Sequence, residues 1–170
     1  MSDKPTLIHQ GKLISLFREP VPLREGGQTT FDIVKHPGGA VIAALNEANE
    51  LCLLKQRRHA VDQTIWELPA GCLEINEDPL TTAQRELEEE AGVIARTWQS
   101  LGRLVTSPGF SNETLYLFKA TDLSAGRSNL DAAETIDVYW IPLTQAIAMA
   151  HTGEIEDAKT LSVLLKLSSQ

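Results

Sequence analysis

The stretch Gly71–Val93, GCLEINEDPLTTAQRELEEEAGV, decides how the rest of the chain is read. It opens on a glycine turn, reaches Asp78-Pro79, and then carries Glu86, Glu88, Glu89 and Glu90 within five positions before Gly92. Asp78 is a residue type that caps helix N-termini by accepting from orphan N–H groups, and Pro79 suits the first helical position, where its missing N–H has no role. Leu80, Ala83, Leu87 and Ala91 recur at helical spacing and form an apolar stripe. Gly92 is placed for a left-handed C-terminal cap. Within such a helix, Glu86 and Glu90 stand one above the other and Glu89 lies beside them. Like charges at that spacing destabilise a helix by about 0.2–0.5 kcal/mol per pair.

An acidic helical run is ordinarily a solvated face. The sharper reading is that the carboxylates converge on a hard divalent cation, with a phosphate-bearing substrate behind it. Glu88, about 100° round the helix from its neighbours, is expected to face water. Arg85 stands one residue before the cluster, where its planar fork can pin a carboxylate such as Glu77.

The whole chain bounds these readings. Its 170 residues, 42% of them hydrophobic, suit one globular domain with a proper core. No apolar run approaches the roughly 20 residues of a membrane-spanning helix, so no membrane partner is expected. The opening Met1–Lys12 lacks the basic-then-apolar plan of a secretory leader, and a cytoplasmic location is the expectation. Fifteen Lys and Arg stand against 23 Asp and Glu, for a net charge of −8. That balance argues against DNA or RNA as a partner, since a polyanion needs a basic footprint. A small phosphorylated substrate remains compatible where metal ions and a few arginines reverse the local field. Cys52 and Cys72 lack CxxC spacing and histidine partners, so they read as reduced structural residues and not as a zinc site.

Residues 1–36 read as amino-terminal β-strands of the same unit, an antiparallel meander laid beside a main domain over residues 37–170 or paired with a second subunit. Within it Leu13–Phe17 alternates, Arg24-Glu25-Gly26-Gly27 is a hairpin turn, and Thr29–Val34 resumes. Pro20 and Pro22 make the intervening segment a poor central strand. Ala40–Leu45 suits a buried strand, with Leu51–Leu54 as its hairpin partner leading into Lys55-Gln56-Arg57-Arg58-His59. Ile65–Ala70 reads as one short strand delivering the chain to Gly71. Trp98–Thr106 and Glu113–Thr121 read as strands around a Ser107–Phe110 turn, and Leu123–Ala133 as a long loop. Thr135–Ile141 reads as a strand, and Pro142–Ala150 and Ala158–Leu167 as helices. The class is mixed α/β, a sheet covered by helices.

The spacing Gly71, Glu77, Arg85-Glu86-Leu87, Glu89-Glu90, Gly92-Val93 resembles the Nudix box, G-x5-E-x7-R-E-U-x-E-E-x-G-U with U aliphatic, and matches every defined position. The resemblance implies the Nudix fold, a mixed sheet between helices, and hydrolysis of a nucleoside diphosphate linked to another moiety with Mg²⁺ or Mn²⁺. It implies Glu86 and Glu90 as metal ligands, Glu89 as ligand or base, the carbonyl of Ala70 as a further ligand, and Arg85 and Glu77 as the residues that orient them. Outside the box, Leu53–Arg58 with Trp66–Gly71, and Pro108 within Ser107–Phe110, resemble the ADP-ribose pyrophosphatase branch, although Arg57 stands where that branch commonly carries an aromatic. That branch cleaves ADP-ribose to AMP and ribose 5-phosphate, usually as homodimers that share amino-terminal strands.

On this basis Glu134, on the loop before Thr135, is the candidate general base, against a plain loop carboxylate. Arg58 is the candidate phosphate clamp. Glu67, Phe110 and Glu113 are candidate substrate contacts, and Trp66 and Phe110 either stack on a base or fill the core. Three functions are weighed: a nucleoside-diphosphate-sugar pyrophosphatase with ADP-ribose foremost; a Nudix hydrolase of GDP-sugars, dinucleotides or oxidised nucleoside triphosphates; and a nucleotide-binding module without turnover.

Overall fold

A computed structural model of the chain describes residues 4–130 and 135–169. In chain order it has β1 (Thr6–Gln10), β2 (Ser15–Pro22), β3 (Gln28–Lys35), β4 (Gly39–Ala44), β5 (Glu50–Arg58), β6 (Gln63–Glu67), β7 (Ala70–Cys72), α1 (Pro79–Ala91), β8 (Val93–Val105), β9 (Thr114–Ala125), β10 (Ile136–Pro142), α2 (Leu143–Thr152) and α3 (Ala158–Ser168). The strands form three sheets, ordered β1-β2-β3, β10-β5-β6 and β7-β4-β9-β8.

The period of two along β4 and β5 explains the layers. Ala40, Ile42, Ala44, Cys52 and Leu54 pack with Ala83 and Leu87 of α1. Val41, Ala43, Leu51 and Leu53 pack on the opposite face with Ala146 and Met149 of α2 and Val163, Leu164 and Leu167 of α3. Two strands apolar on both faces can bury themselves only between helices, which gives the mixed α/β sandwich. Among the described strands β4 and β9 pair in parallel and the other strand pairs are antiparallel. Among the described residues no helix is long and apolar enough to cross a membrane.

Several local expectations are refined. Asn46–Glu50 does turn, with the Asn46 N–H donating to the Glu50 carbonyl, but β4 and β5 do not form a hairpin. They diverge into different sheets after a single bridge, Leu45↔Leu51, because each already has its own neighbours on either side. Ile65–Ala70 is likewise two strands. β6 pairs with β5 and β7 with β4, so the chain crosses between sheets at Leu68-Pro69. Leu123–Ala125, expected in a loop, continues β9 against β8. Pro20 and Pro22 lie inside β2, the middle strand of its sheet, yet beyond Arg18, where pairing with β1 stops. Lying two apart, their missing N–H groups point to one side, which is tolerable along an open edge. The hairpin at Leu23–Gly27 forms as read, with Gly26 and Gly27 at positive φ.

Candidate functional site

The site is built where β7 hands the chain to α1. Asp78 caps the helix, its carboxylate accepting from the Leu80 N–H at 3.0 Å. At the other end Gly92 takes φ 65°, ψ 33°, and its N–H reaches back to the Glu88 carbonyl. Ala83 and Leu87 hold α1 on the sheet, so its angle about its own axis is fixed and the carboxylates are aimed by packing. The Glu86 carboxylate lies directly over Gly71: a Cβ on that glycine would stand 1.9 Å from its Cδ and Oε1. Glu90, 4% exposed, accepts the Ala70 N–H at 2.8 Å. The helix is thus tied to the strand that precedes it by the Glu90 hydrogen bond and by the close approach of Glu86 to Gly71.

Arg85 organises the rest. Its Nε and Nη2 donate to the two oxygens of Glu77 at 3.1 and 3.0 Å, and its Nη1 donates to Glu86 at 2.6 Å and Glu89 at 3.1 Å. Nη2 also donates to the Cys72 carbonyl at 3.3 Å. Glu77 is held further by the Thr82 hydroxyl at 2.8 Å and the Glu74 N–H at 3.1 Å. The Arg85 bonds draw the Glu77 carboxyl down to about 2, and the guanidinium is correspondingly raised above its ordinary value, chiefly through Glu77. One arginine therefore sets the geometry of three carboxylates.

Glu86, Glu89 and Glu90 line one cavity of about 400 Å³ with Arg58, Gln56, Asn129 and the Ala70–Cys72 backbone. A neighbouring cavity of about 440 Å³ shares Arg58 and Ala70–Cys72 with it and is bounded beyond them by His36, Glu113, Asp157 and Lys159. Arg58 thus stands where the acidic half meets the other. Its fork is bidentate to Glu67, both bonds 2.7 Å. Glu67 is 1% exposed and also bonds Lys159, which pairs with Asp157 at 3.0 Å. Burial works against a charged Glu67, but Arg58 and Lys159 together hold its carboxyl below the usual range, and the Glu67 bonds raise Arg58. Asp157 caps α3 through the Thr160 N–H, while the Thr160 hydroxyl accepts from the Leu68 N–H at 2.9 Å. That chain of bonds ties the β6–β7 crossing to the start of α3.

The other candidates fall as follows. Glu113 lies on the second cavity, its carboxylate accepting from the Thr106 hydroxyl at 2.6 Å and lying 3.5 Å from His36 Nδ1. That nitrogen already accepts the Gly38 N–H at 3.0 Å, so the pair is not a charged hydrogen bond. Phe110 is 56% exposed on its turn and borders neither cavity. Trp66 packs edge-on against Tyr139, centroids 4.9 Å apart, with the Lys55 ammonium over its ring, and lies partly buried against the core. Glu88 does not simply face water: its Oε1 accepts the Arg127 N–H at 3.3 Å beneath Gly126. Glu134 lies outside the described residues.

Residues the sequence reading did not single out are Gln56, Asn129, Asp157 and Lys159. A cation in the first turn of α3 works against the helix dipole, and that misplacement is the signal that Lys159 has a paired role. For Gln56 the signal is an amide continuing the helix-facing register of Cys52 and Leu54.

The donor set suits a hard divalent cation, which takes carboxylate and carbonyl oxygens. Among the described residues no three acidic, histidine or cysteine side chains already close on a common point. Arg85 holds an oxygen each of Glu86 and Glu89, and the Ala70 N–H holds one of Glu90. Glu86, Glu89 and Glu90 are nonetheless the oxygen donors that share the cavity with Arg58.

Comparison with known proteins bears on what such a site belongs to. The NUDIX domain family model matches residues 35–164. An ADP-ribose pyrophosphatase of Bacillus subtilis (strain 168) is 39% identical over 155 residues, 90% of this chain and 84% of that protein. An ADP-ribose pyrophosphatase of Mycobacterium tuberculosis (strain ATCC 25618 / H37Rv) is 36% identical over 161 residues, 93% of this chain and 78% of that protein. A crystal structure of an ADP compounds hydrolase superposes with a TM-score of 0.83 over 99% of this chain and 95% of its own, at 17% identity, and so bears on the fold. With its box of carboxylates carried on a capped helix over Gly71, the chain belongs to the Nudix hydrolase family.

Proposed function

We propose that this protein hydrolyses the pyrophosphate bond of a nucleoside diphosphate linked to a sugar, ADP-ribose foremost, giving AMP and ribose 5-phosphate. The observation that carries the reading is the shared cavity: Arg58 from β5 and the three carboxylates of α1 face one space over the Ala70–Cys72 backbone. A pyrophosphate is doubly anionic at the least, so it needs a cation beside those carboxylates and a guanidinium on its other side. The two relatives named above support the substrate class.

Glu86, Glu89 and Glu90, with the Ala70 carbonyl, would hold Mg²⁺, with Mn²⁺ as a substitute. When bound, the ion neutralises phosphate charge and acidifies the attacking water. The chain's own residues do the rest. Arg58 keeps its Nη1 for phosphate oxygens, while Glu67, which takes Nε and Nη2, and Lys159 hold the guanidinium in place, so Glu67 serves as a positioning residue. Arg85 and Glu77 fix the direction of Glu86 and Glu89. Glu134 takes the proton of the attacking water in this reading. Glu113 and Phe110 contribute to binding the rest of the substrate, Phe110 from its exposed turn. Most of the rate then comes from positioning and electrostatics.

We further propose that residues 1–36 form an appendage of the domain over 37–170 through which two copies associate as a homodimer. The exposed Leu7, Ile8 and Phe31 of its sheet support this. A cytoplasmic location belongs to the same proposal and is supported by two unpaired cysteines. The test is a substrate panel in Mg²⁺: ADP-ribose, GDP-mannose and nucleoside triphosphates. ADP-ribose is expected to give the highest kcat/KM. Preference for a triphosphate refutes the reading, and no turnover of any substrate points to a binding module.

A further inference from the structure

We infer that Gln56 is a substrate-contact residue, its amide N–H₂ donating to a non-bridging phosphate oxygen beside Arg58. This deepens the functional reading and rests on its placing a pyrophosphate in the acidic cavity. β5 alternates strictly: Cys52 and Leu54 face α1 and are packed in its apolar cluster, and Gln56 and Arg58 continue the same face. An aliphatic residue at position 56 would extend that cluster. Instead an amide stands there, 6% exposed, lining the cavity that holds Glu86, Glu89 and Glu90.

Among the described residues its side chain has no hydrogen-bond partner. No fully buried side-chain nitrogen or oxygen there lacks a partner, so the amide keeps its polar atoms open to the cavity. A primary amide enclosed this far, with no protein partner and its polar atoms open to a cavity, is a group that solvent or a bound ligand completes. The neighbours decide which ligand. Carboxylates flank the cavity on the α1 side and already take donors from Arg85 and Ala70. The guanidinium two residues along the same face is the phosphate-binding group of the functional reading. A neutral donor there adds a bond to a phosphate oxygen without adding a charge that would compete with a cation for the carboxylates.

The test uses Gln56→Leu, close in volume, and Gln56→Glu, close in shape but acceptor-only when ionised. The probe is methylenediphosphonate, a P–C–P diphosphate that cannot be hydrolysed, titrated by calorimetry in Mg²⁺ into the full chain. A hydrogen bond to a charged group predicts that Gln56→Leu weakens binding roughly ten- to hundredfold, and Gln56→Glu more, since its carboxylate repels the probe. The Tm of the ligand-free protein is expected to stay within a few degrees of wild type in Gln56→Leu, because the amide makes no bond that the fold would lose. Affinity within twofold of wild type in both variants overturns the inference. A Tm several degrees lower, or failure of either variant to fold, also overturns it, since Gln56 would then belong to the frame. Wild-type turnover of ADP-ribose tests the functional reading separately. Loss of the probe in the variants with no ADP-ribose turnover by wild type keeps Gln56 and sinks that reading, whereas no probe binding by wild type sinks both.

Discussion

Gly71→Ala isolates the contact on which the site's geometry depends. Gly71 does not occupy the left-handed region, so alanine imposes no backbone strain there. Its Cβ would, however, stand 1.9 Å from Glu86 Cδ, where ordinary contact begins at 3.4 Å, so the carboxylate must retreat by about 1.5 Å, that is 3.4 minus 1.9. Because the clashing atoms are the far end of a flexible side chain, the helix stays in place and Glu86 swings away. A displacement of order 1 Å in a positioned group costs about 10²-fold in rate. Gly71→Ala is therefore expected to lower kcat about 100-fold and to raise the Mg²⁺ concentration for half-maximal activity, with Tm changed by no more than a few degrees. Steady-state kinetics across a Mg²⁺ series, with thermal unfolding in parallel, measures all three. Activity within about twofold of wild type at the same Mg²⁺ requirement would refute the placement of Glu86 over Gly71 as the working arrangement.

Arg85→Lys keeps the charge but loses the fork that reaches Glu77, Glu86 and Glu89 together, so activity is expected to fall about 10–100-fold, read as kcat/KM. Glu67→Gln leaves Arg58 and Lys159 facing a neutral group; since Arg58 is partly exposed, the expected loss is about 2–3 kcal/mol, below the usual 3–5 kcal/mol for a broken buried pair, measured by denaturant unfolding. Glu77 sits at about 2 in the folded chain against an ordinary 4.5, so its contribution to stability is complete above about pH 4.5 and is lost as pH falls towards 2. Thermal unfolding from pH 5 to 2 is expected to decline less steeply in Glu77→Gln than in wild type. Glu134→Gln is expected to lower kcat with metal affinity unchanged; an unaltered kcat returns the base to Glu89.

Local chemistry was legible wherever its cause lies within a few residues. Asp78, Pro79 and Gly92 announce both ends of α1, and the register of Leu80, Ala83, Leu87 and Ala91 implies which acids turn inward. Pairing between distant strands left no such mark. Nothing in Ala40–Leu54 says that β4 and β5 part company, because two strands buried on both faces look alike whether they pair or diverge. The crossing at Leu68-Pro69 is similarly hidden, since it depends on Thr160, 92 residues on. Glu67 drew notice as a substrate contact, yet its oxygens are taken by Arg58 and by Lys159, a residue equally far along the chain. Glu88 is covered by the Gly126–Arg127 segment, whose path no helical periodicity predicts.

The carboxylates of α1 and the Arg58 guanidinium are proposed to act together on a pyrophosphate. The most direct test is product analysis of ADP-ribose incubated with wild type, Glu86→Gln and Glu90→Gln, with Mg²⁺ and with chelator. The prediction is AMP and ribose 5-phosphate in equal amounts from wild type in Mg²⁺, none with chelator, and at least a 100-fold slower release from either variant, on the scale of a mispositioned catalytic group. ADP-ribose left intact by wild type, or cleaved as fast by Glu86→Gln, would contradict it.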